Sequence, residues 1–221
     1  MGSSSQLKNL ADNLSKDFEV YSFDFSGHGS KSKTECDFSI RLFADELDRF
    51  IIDNEINNPF IFGYSMGGYV AIYHQLEYNT KIKAIFTLAT KFDWTAENAA
   101  KEVRLMDADI ILQKVPKFAD ELKSVHGVRW TNVISKTAAF MTELGYNPLL
   151  KSDNLIQLQI PLLVAVGDRD NMVTIDETLK VHKLVTNSHL HVFSNMIHPI
   201  NKVNTDRLAN EVKLYFSKFN T

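Results

Sequence analysis

Disulfide chemistry is excluded within this chain, because its 221 residues include a single cysteine, Cys36. A lone thiol forms no internal bridge, which fits a reducing cytoplasm, the expected location. Clustered Cys and His at metal-ligand spacing are missing too, so no metal is expected. Basic charge is not in excess: 24 Lys and Arg stand against 27 Asp and Glu, a net charge of −3. Nothing here draws in a phosphate backbone, and no nucleic-acid partner is expected. No apolar run approaches the ~20 residues that span a bilayer, so no membrane partner is expected either. The start, Met1-Gly2-Ser3-Ser4-Ser5, has neither the basic nor the apolar region of a secretory signal. Internal repeats are absent, and that serine run is the nearest thing to low complexity. What remains is an ordinary globular balance, 44% hydrophobic and 23% charged. It suffices for one sizeable core, or one core plus a small insertion.

The densest pattern runs from Pro59 to Ala71. Phe60-Ile61-Phe62 reads as a buried strand, Gly63-Tyr64-Ser65-Met66-Gly67 as a sharp turn, and Tyr69-Val70-Ala71-Ile72-Tyr73-His74 as a helix. Gly-x-Ser-x-Gly in that setting holds a serine on a strained turn, so that its Oγ projects into a cleft. Glycines two residues either side are expected to leave room where a side chain would strike the neighbouring strand or helix. The helix starting near Met66 aims unpaired N–H groups at the place where an oxyanion would form.

Upstream, Leu7, Leu10, Ala11, Leu14 and Phe18 recur at helical spacing, which predicts an amphipathic helix over 6–16. Residues 18–24 read as a strand and 26–30 as a turn-rich loop. A helix capped by Asp37 or Ser39 then turns Ile40, Phe43, Ala44, Leu47, Phe50 and Ile51 inward. Further strands are predicted over 81–89, 160–166 and 189–193, with helices over 173–185 and 205–219. The stretch 91–151 differs. It is helical and charge-mixed, broken at His126-Gly127, and continues as a helix from Thr131 to Leu144; it reads as an inserted lid. The expected division is therefore a core of 1–90 and 152–221 with a helical lid of 91–151. Strands alternating with helices predict an α/β class with a mostly parallel sheet covered on both faces.

A serine hydroxyl at neutral pH needs a base, commonly a histidine, which a carboxylate holds in place. In parallel sheets such groups gather at the C-terminal ends of strands. Asp168 and Asp170 follow the 160–166 strand, and Asp170 is the better acid because it lies deeper in the loop, ahead of Val173. Asp168 reads as a turn cap or a partner of Arg169. His198 follows the last strand and is stiffened by Pro199. Of the other six histidines, His189 and His191 read as strand residues, His74 and His182 as helix residues, His126 as part of the lid and His28 as a turn stabiliser. Ser65, Asp170 and His198 thus form the candidate catalytic set, in the order nucleophile, acid, base.

These motifs together resemble the α/β-hydrolase fold superfamily in its small, lidded serine-hydrolase form. Phe23-Asp24-Phe25-Ser26-Gly27-His28-Gly29-Ser30 is similar to the family's Asp-x-x-Gly-His-Gly-x-Ser loop, and Gly63 to Gly68 to its nucleophile elbow. Pro161 to Val173 is similar to its acid-bearing strand, and His198 falls where its histidine is expected. The resemblance implies that the lid shapes the substrate pocket and that the Met66 N–H is one oxyanion donor. Family members usually carry an earlier strand, ending in His-Gly, between the strands corresponding to 18–24 and 59–64. Here Gly2-Ser3-Ser4-Ser5 resembles the tail of that loop, and the strand itself is expected to be absent. Three outcomes stay open: direct pairing of the flanking strands, another chain in the gap, or a gene start upstream.

The expected function is hydrolysis of a small, largely apolar ester or thioester through an acyl-enzyme, without a cofactor. Carbon–carbon bond hydrolysis by the same triad is one alternative. A catalytically silent or truncated member acting as a small-molecule binder, or a homodimeric scaffold joined through unpaired strand edges, is another. Tyr64, Trp94 and Trp130 are candidate substrate contacts, while helix-spaced aromatics of this kind equally serve as lid core.

Overall fold

Continuous apolar runs without polar alternation belong to strands with a neighbour on each side, and two such runs occupy the middle of the sheet. In the computed structural model, which describes residues 1–78 and 80–220, these are β2 (Ala84–Leu88) and β3 (Leu162–Gly167), buried at every position. They are flanked by β1 (Phe60–Tyr64) and β4 (Ser188–Phe193), both more exposed. Among the described residues the four strands form one sheet in the order β1-β2-β3-β4. Every pairing is parallel, with Phe62 opposite Phe86, Thr87 opposite Val164 and Ala165 opposite His191. Parallel order puts the C-terminal ends of all the strands on one edge, and the functional loops leave from there. This is the expected α/β arrangement, a parallel sheet with helices around it.

The chain divides into two compact units. The one containing the sheet comprises Asp12–Phe18, Ile40–Asp93 and residues from Leu149 onward. Its α2 (Ile40–Asp53) begins directly after Ser39 and buries Ile40, Phe43, Ala44, Leu47 and Ile51, the expected face apart from Phe50, which is half-buried. The next helix, α3 (Met66–Glu77), buries every residue from Gly68 to His74 and so is apolar nearly all round, as a central helix must be. Its histidine, His74, is buried, which lowers its pKa, and Nε2 lies 3.0 Å from the carboxylate of Asp48 on α2. The Tyr78 ring stacks on His74 at 4.8 Å, and Tyr69 accepts the Leu149 and Leu150 N–H groups. Short α8 (Ser152–Leu155) leads to β3, then α9 (Ile175–Leu184) packs on β3 and β4, while α10 (Thr205–Ser217) packs on β2.

The other unit comprises Met1–Ala11, Glu19–Ser39 and Trp94–Pro148. A 3₁₀ turn at Ser4–Leu7 leads into α1 (Lys8–Leu14). The region expected as a lid supplies α4 (Ala96–Val103), α5 (Ala108–Lys114), α6 (Pro116–His126) and α7 (Trp130–Tyr146). Their starts follow from capping chemistry. Thr95 accepts the Asn98 N–H, Asp107 accepts those of Asp109 and Ile110, and Pro116 takes the first position of α6. Ile111, Ala119, Leu122, Trp130 and Ile134 close a small core. At Gly145 a Cβ would lie 2.4 Å from the Ala99 Cβ, so that glycine sets how closely α7 approaches α4.

The strand expected over 18–24 does not form. Residues 19–25 carry no ladder, and Tyr21 is 44% exposed. Apolar alternation favours an extended backbone, but a strand also needs a hydrogen-bonded neighbour, which the local sequence does not specify. The stretch instead delivers Asp24 into the Gly-His-Gly turn. Its carboxylate accepts the Ser4 N–H at 2.7 Å, the Ser30 N–H at 2.8 Å and the Ser30 hydroxyl at 2.7 Å. Burial alone would raise the Asp24 pKa, but these donors outweigh it and hold the carboxyl below its ordinary value. A Cβ on Gly29, whose φ is +48°, would lie 2.4 Å from Asp24 Oδ2, so a side chain there would evict the acid.

Beside Asp24, His28 is buried, stacks on Phe38 at 4.7 Å and meets the His126 ring edge at 5.8 Å. His126 accepts the Gly29 N–H at Nδ1 and donates from Nε2 to the Met1 carbonyl, which makes it the neutral tautomer. Burial pushes His28 down to about 3 and lowers His126 as well. Both pKa values fall below the unfolded value of about 6.5, so the neutral forms stabilise the fold above that pH. For His28 the contribution is lost as pH falls from about 6.5 toward about 3, at up to about 1.4 kcal/mol per pH unit, and His126 acts in the same direction. Urea denaturation between pH 7.5 and 5 is expected to show falling midpoints below about 6.5; a flat profile would contradict neutral burial of this pair. No described helix is long and apolar enough to cross a membrane.

Candidate active site

Ser65 ends β1 and opens α3 with φ +51° and ψ −117°, a left-handed conformation that a non-glycine residue adopts only under restraint. The restraints are visible. The Ser65 N–H donates to the Leu88 carbonyl at 2.8 Å, and its carbonyl accepts the Thr90 hydroxyl at 3.0 Å and the Gly68 N–H at 3.1 Å. Both backbone polar groups are therefore satisfied across β2, and no side-chain cap draws the Ser65 hydroxyl back onto α3. Met66 is the first residue of that helix, so its N–H has no intrahelical acceptor.

The glycines around the serine do unequal work. A Cβ on Gly63 would lie 2.5 Å from the Gly68 Cα, and one on Gly68 would lie 2.1 Å from the Thr90 Oγ1. At Gly67 a Cβ would meet nothing within 4 Å, and its φ is not positive. The expectation of a steric need on both sides of Ser65 thus holds for Gly63 and passes from Gly67 to its neighbour Gly68. Gly63→Ala is expected to cost about 1–3 kcal/mol by overpacking against backbone. Gly67→Ala should be neutral or stabilising by about 0.5–1 kcal/mol, through helix propensity. Thermal melts of the two variants check the contrast; equal losses would refute it.

In the loop after β3, the Asp170 side chain is buried, 1% exposed. One oxygen, Oδ1, accepts the Met172 and Val173 N–H groups at 2.8 and 2.9 Å, and Oδ2 lies 2.8 Å from His198 Nδ1. Burial would raise the Asp170 pKa, but the hydrogen bond and charge of His198, with the two backbone donors, lower it overall. An ionised carboxylate only accepts, so His198 Nδ1 carries the hydrogen and Nε2 keeps its lone pair, the tautomer a general base needs. The His198 side chain is 11% exposed. Asp168 serves otherwise: it accepts the Met196 N–H at 3.3 Å, while the Arg169 N–H donates to the Met196 carbonyl at 3.1 Å. A Cβ on Gly167 would lie 2.2 Å from that same carbonyl, which is how closely the two loops approach.

A second strap fixes the acid's loop. Lys91 Nζ donates to the Met172 carbonyl at 3.0 Å and lies 3.9 Å from Glu177, which is buried. Glu177 accepts the Phe92 N–H at 3.0 Å and closes a capping box with Thr174 on α9. The loops after β2 and β3 are tied together through these two side chains. Sequence reasoning overlooked them, although Thr174-x-x-Glu177 is a readable capping signature.

Of the candidate residues, Asp170 and His198 are in direct contact, and Tyr64, the neighbour of Ser65, reaches the same histidine. The Tyr64 hydroxyl donates to the His198 carbonyl at 2.7 Å, and the rings lie 5.5 Å apart. Trp94 and Trp130 belong to the other unit and are 9% and 6% exposed. Trp130 packs inside the small core there, with Lys123 over its ring at 5.6 Å. No cluster of His, Cys, Asp or Glu able to hold a metal ion occurs among the described residues.

The sequence profile of the alpha/beta hydrolase fold matches residues 1–154. The chain is 35% identical over 75 residues to a Mycoplasma genitalium protein named "Putative esterase/lipase 2", a match covering 34% of this chain and 28% of that protein. Among solved structures, a thermophilic esterase from Thermogutta terrifontis is similar with a TM-score of 0.75 at 19% identity, over 98% of this chain and 86% of that one. The meta-cleavage product hydrolase CumD from Pseudomonas fluorescens is similar with a TM-score of 0.73 at 21% identity, over 100% of this chain and 87% of that one. With a strained serine on a strand-to-helix turn, a carboxylate-held histidine at the sheet's C-terminal edge, and a profile match over most of its length, the chain belongs to the α/β-hydrolase fold family.

Proposed function

We propose that the protein is a serine hydrolase acting on a small, largely apolar ester or thioester, with Ser65 as nucleophile, His198 as base and Asp170 as the group that holds His198. The observation that carries this reading is the 2.8 Å contact between His198 Nδ1 and Asp170 Oδ2. It leaves the Nε2 lone pair of His198 for a serine proton, and the Tyr64 hydroxyl ties that histidine to the residue beside Ser65.

The steps follow from these groups. The Ser65 Oγ attacks the acyl carbon while its proton passes to His198 Nε2, forming an O–C bond and an oxyanion. The Met66 N–H, at the positive end of α3, stabilises that oxyanion. Collapse breaks the bond to the leaving alcohol or thiol, which takes the proton from Nε2. Water then repeats the sequence in reverse, giving the carboxylic acid and free Ser65. The chemistry needs no cofactor. A reducing cytoplasm is part of the same proposal, supported by the single cysteine, which allows no internal disulfide.

Intact-mass measurement after treatment with a fluorophosphonate is the direct test. One adduct on the wild type and none on Ser65→Ala is expected, followed by turnover within a panel of short-chain esters and thioesters. A folded wild type that takes no adduct, or a Ser65→Ala variant labelled as fast, would remove the proposal and leave the silent small-molecule binder as the better reading.

A further inference from the structure

We propose that Tyr64 is a positioning residue for His198, its hydroxyl fixing the backbone of the base from the position next to the nucleophile. The inference rests on the serine-hydrolase reading for its kinetic consequence, though not for its structural one. It also gives Tyr64 a role other than substrate contact.

The loop from Ser194 to Ile200 has little regular structure of its own, with only a 3₁₀ turn beginning at Ile200, and Asn195 at φ +59° bends it back on itself. Several groups anchor it. The Arg207 guanidinium donates to the Ser194 carbonyl at 2.9 Å, and Asp168 and the Arg169 N–H hold Met196. At His198 itself the side chain is held by Asp170 and the carbonyl by Tyr64 Oη at 2.7 Å. Asp170 alone leaves the imidazole free to pivot about its Nδ1 contact. A second restraint on the same residue's backbone removes that freedom, and with it the uncertainty in where Nε2 points.

The source of this second restraint matters. Tyr64 lies between Gly63 and Ser65, and the backbone there is pinned through the Ser65 N–H to Leu88 and the Ser65 carbonyl to Thr90. The elbow that aims the serine therefore also aims the histidine, and one rigid element sets both. Burial, together with the Asp170 charge, raises the Tyr64 hydroxyl above its ordinary pKa against the Ile200 backbone amide, so it stays a neutral donor across the working pH range. Its ring lies tilted beside the imidazole at 5.5 Å, a contact that a phenylalanine would keep.

Tyr64→Phe removes one oxygen and retains the ring. With any ester that the wild type turns over, kcat is expected to fall on the order of 10–100-fold with KM within about twofold. The acid limb of the kcat–pH profile should move, a change that simple loss of stability would not produce. The structural arm does not depend on turnover: the wild type is expected to show a downfield imidazole N–H signal for His198 by NMR, and that signal should broaden or disappear in Tyr64→Phe at equal temperature. A Tyr64→Phe protein that melts like wild type and keeps its kcat, pH profile and imidazole signal would overturn the inference. Failure of the wild type to take a fluorophosphonate would instead count against the hydrolase reading, and the imidazole signal would still decide the role of Tyr64.

Discussion

Asp170→Asn is expected to lower kcat by about 10⁴-fold while the protein stays folded, the loss found when a triad carboxylate becomes an amide that selects the wrong histidine tautomer. Asp170 uses its two oxygens differently. Oδ1 accepts the Met172 and Val173 N–H groups, and an asparagine oxygen would continue to do so. The amide nitrogen would then occupy the Oδ2 position facing His198 Nδ1, where a donor now meets a donor. The imidazole escapes by moving its hydrogen to Nε2, which no longer has a lone pair for the Ser65 proton. Stability should fall by only about 1–3 kcal/mol, because the loop keeps its backbone acceptor. Asp168→Asn is the informative control. Its contact is to the Met196 N–H, which an amide oxygen also accepts, so activity should remain close to wild type. Steady-state kinetics of the two variants would decide the assignment, and the reverse ranking would make Asp168 the acid.

Removing Ser65, the proposed nucleophile, should produce the largest kinetic effect, and its two simplest replacements should differ in stability. Ser65→Ala and Ser65→Gly are each expected to lose about 10⁶-fold in kcat, as when any single member of a working Ser–His pair is deleted, and neither should take a fluorophosphonate. They should differ in melting temperature. Ser65 holds φ +51° and ψ −117°, a backbone state that costs a residue with a Cβ roughly 1–3 kcal/mol. Alanine inherits that strain and glycine does not, so Ser65→Gly should be the more stable of the two by about 1 kcal/mol after its greater unfolded-state entropy is counted. Calorimetry on the pair tests this directly. A glycine variant that melts below alanine would mean that the turn imposes no strain on the serine.

The legible parts of this protein are those where one short stretch carries the whole physical reason. The elbow was readable because strand, glycine and helix signals adjoin within 59–71. The inward face of α2 was readable because Phe43, Ala44, Leu47 and Ile51 repeat at helical spacing and are indeed buried. Asp170 could be preferred over Asp168 because it lies deeper in the loop, ahead of Val173, and it is the Asp170 carboxylate that lies 2.8 Å from His198. The strand expected at 18–24 was misread, because alternation reports a backbone preference while ladder formation depends on a partner elsewhere in the chain. Gly67 was given a steric role that belongs to Gly68, since the obstacle is Thr90, twenty-odd residues away in sequence.

By itself the sequence determined the α/β class, the serine on its turn, and the placing of Asp170 and His198 in the loops after strands β3 and β4, because each depends on local pattern and chain order. Only the tertiary structure decided that Tyr64 reaches the His198 carbonyl, that Lys91 and Glu177 strap the acid's loop, and that Asp24 gathers Ser4 and Ser30. Each of those contacts joins groups distant in sequence through one hydrogen bond of fixed length. No periodicity encodes such a contact, and it comes into being only when packing has already set the backbones that carry it.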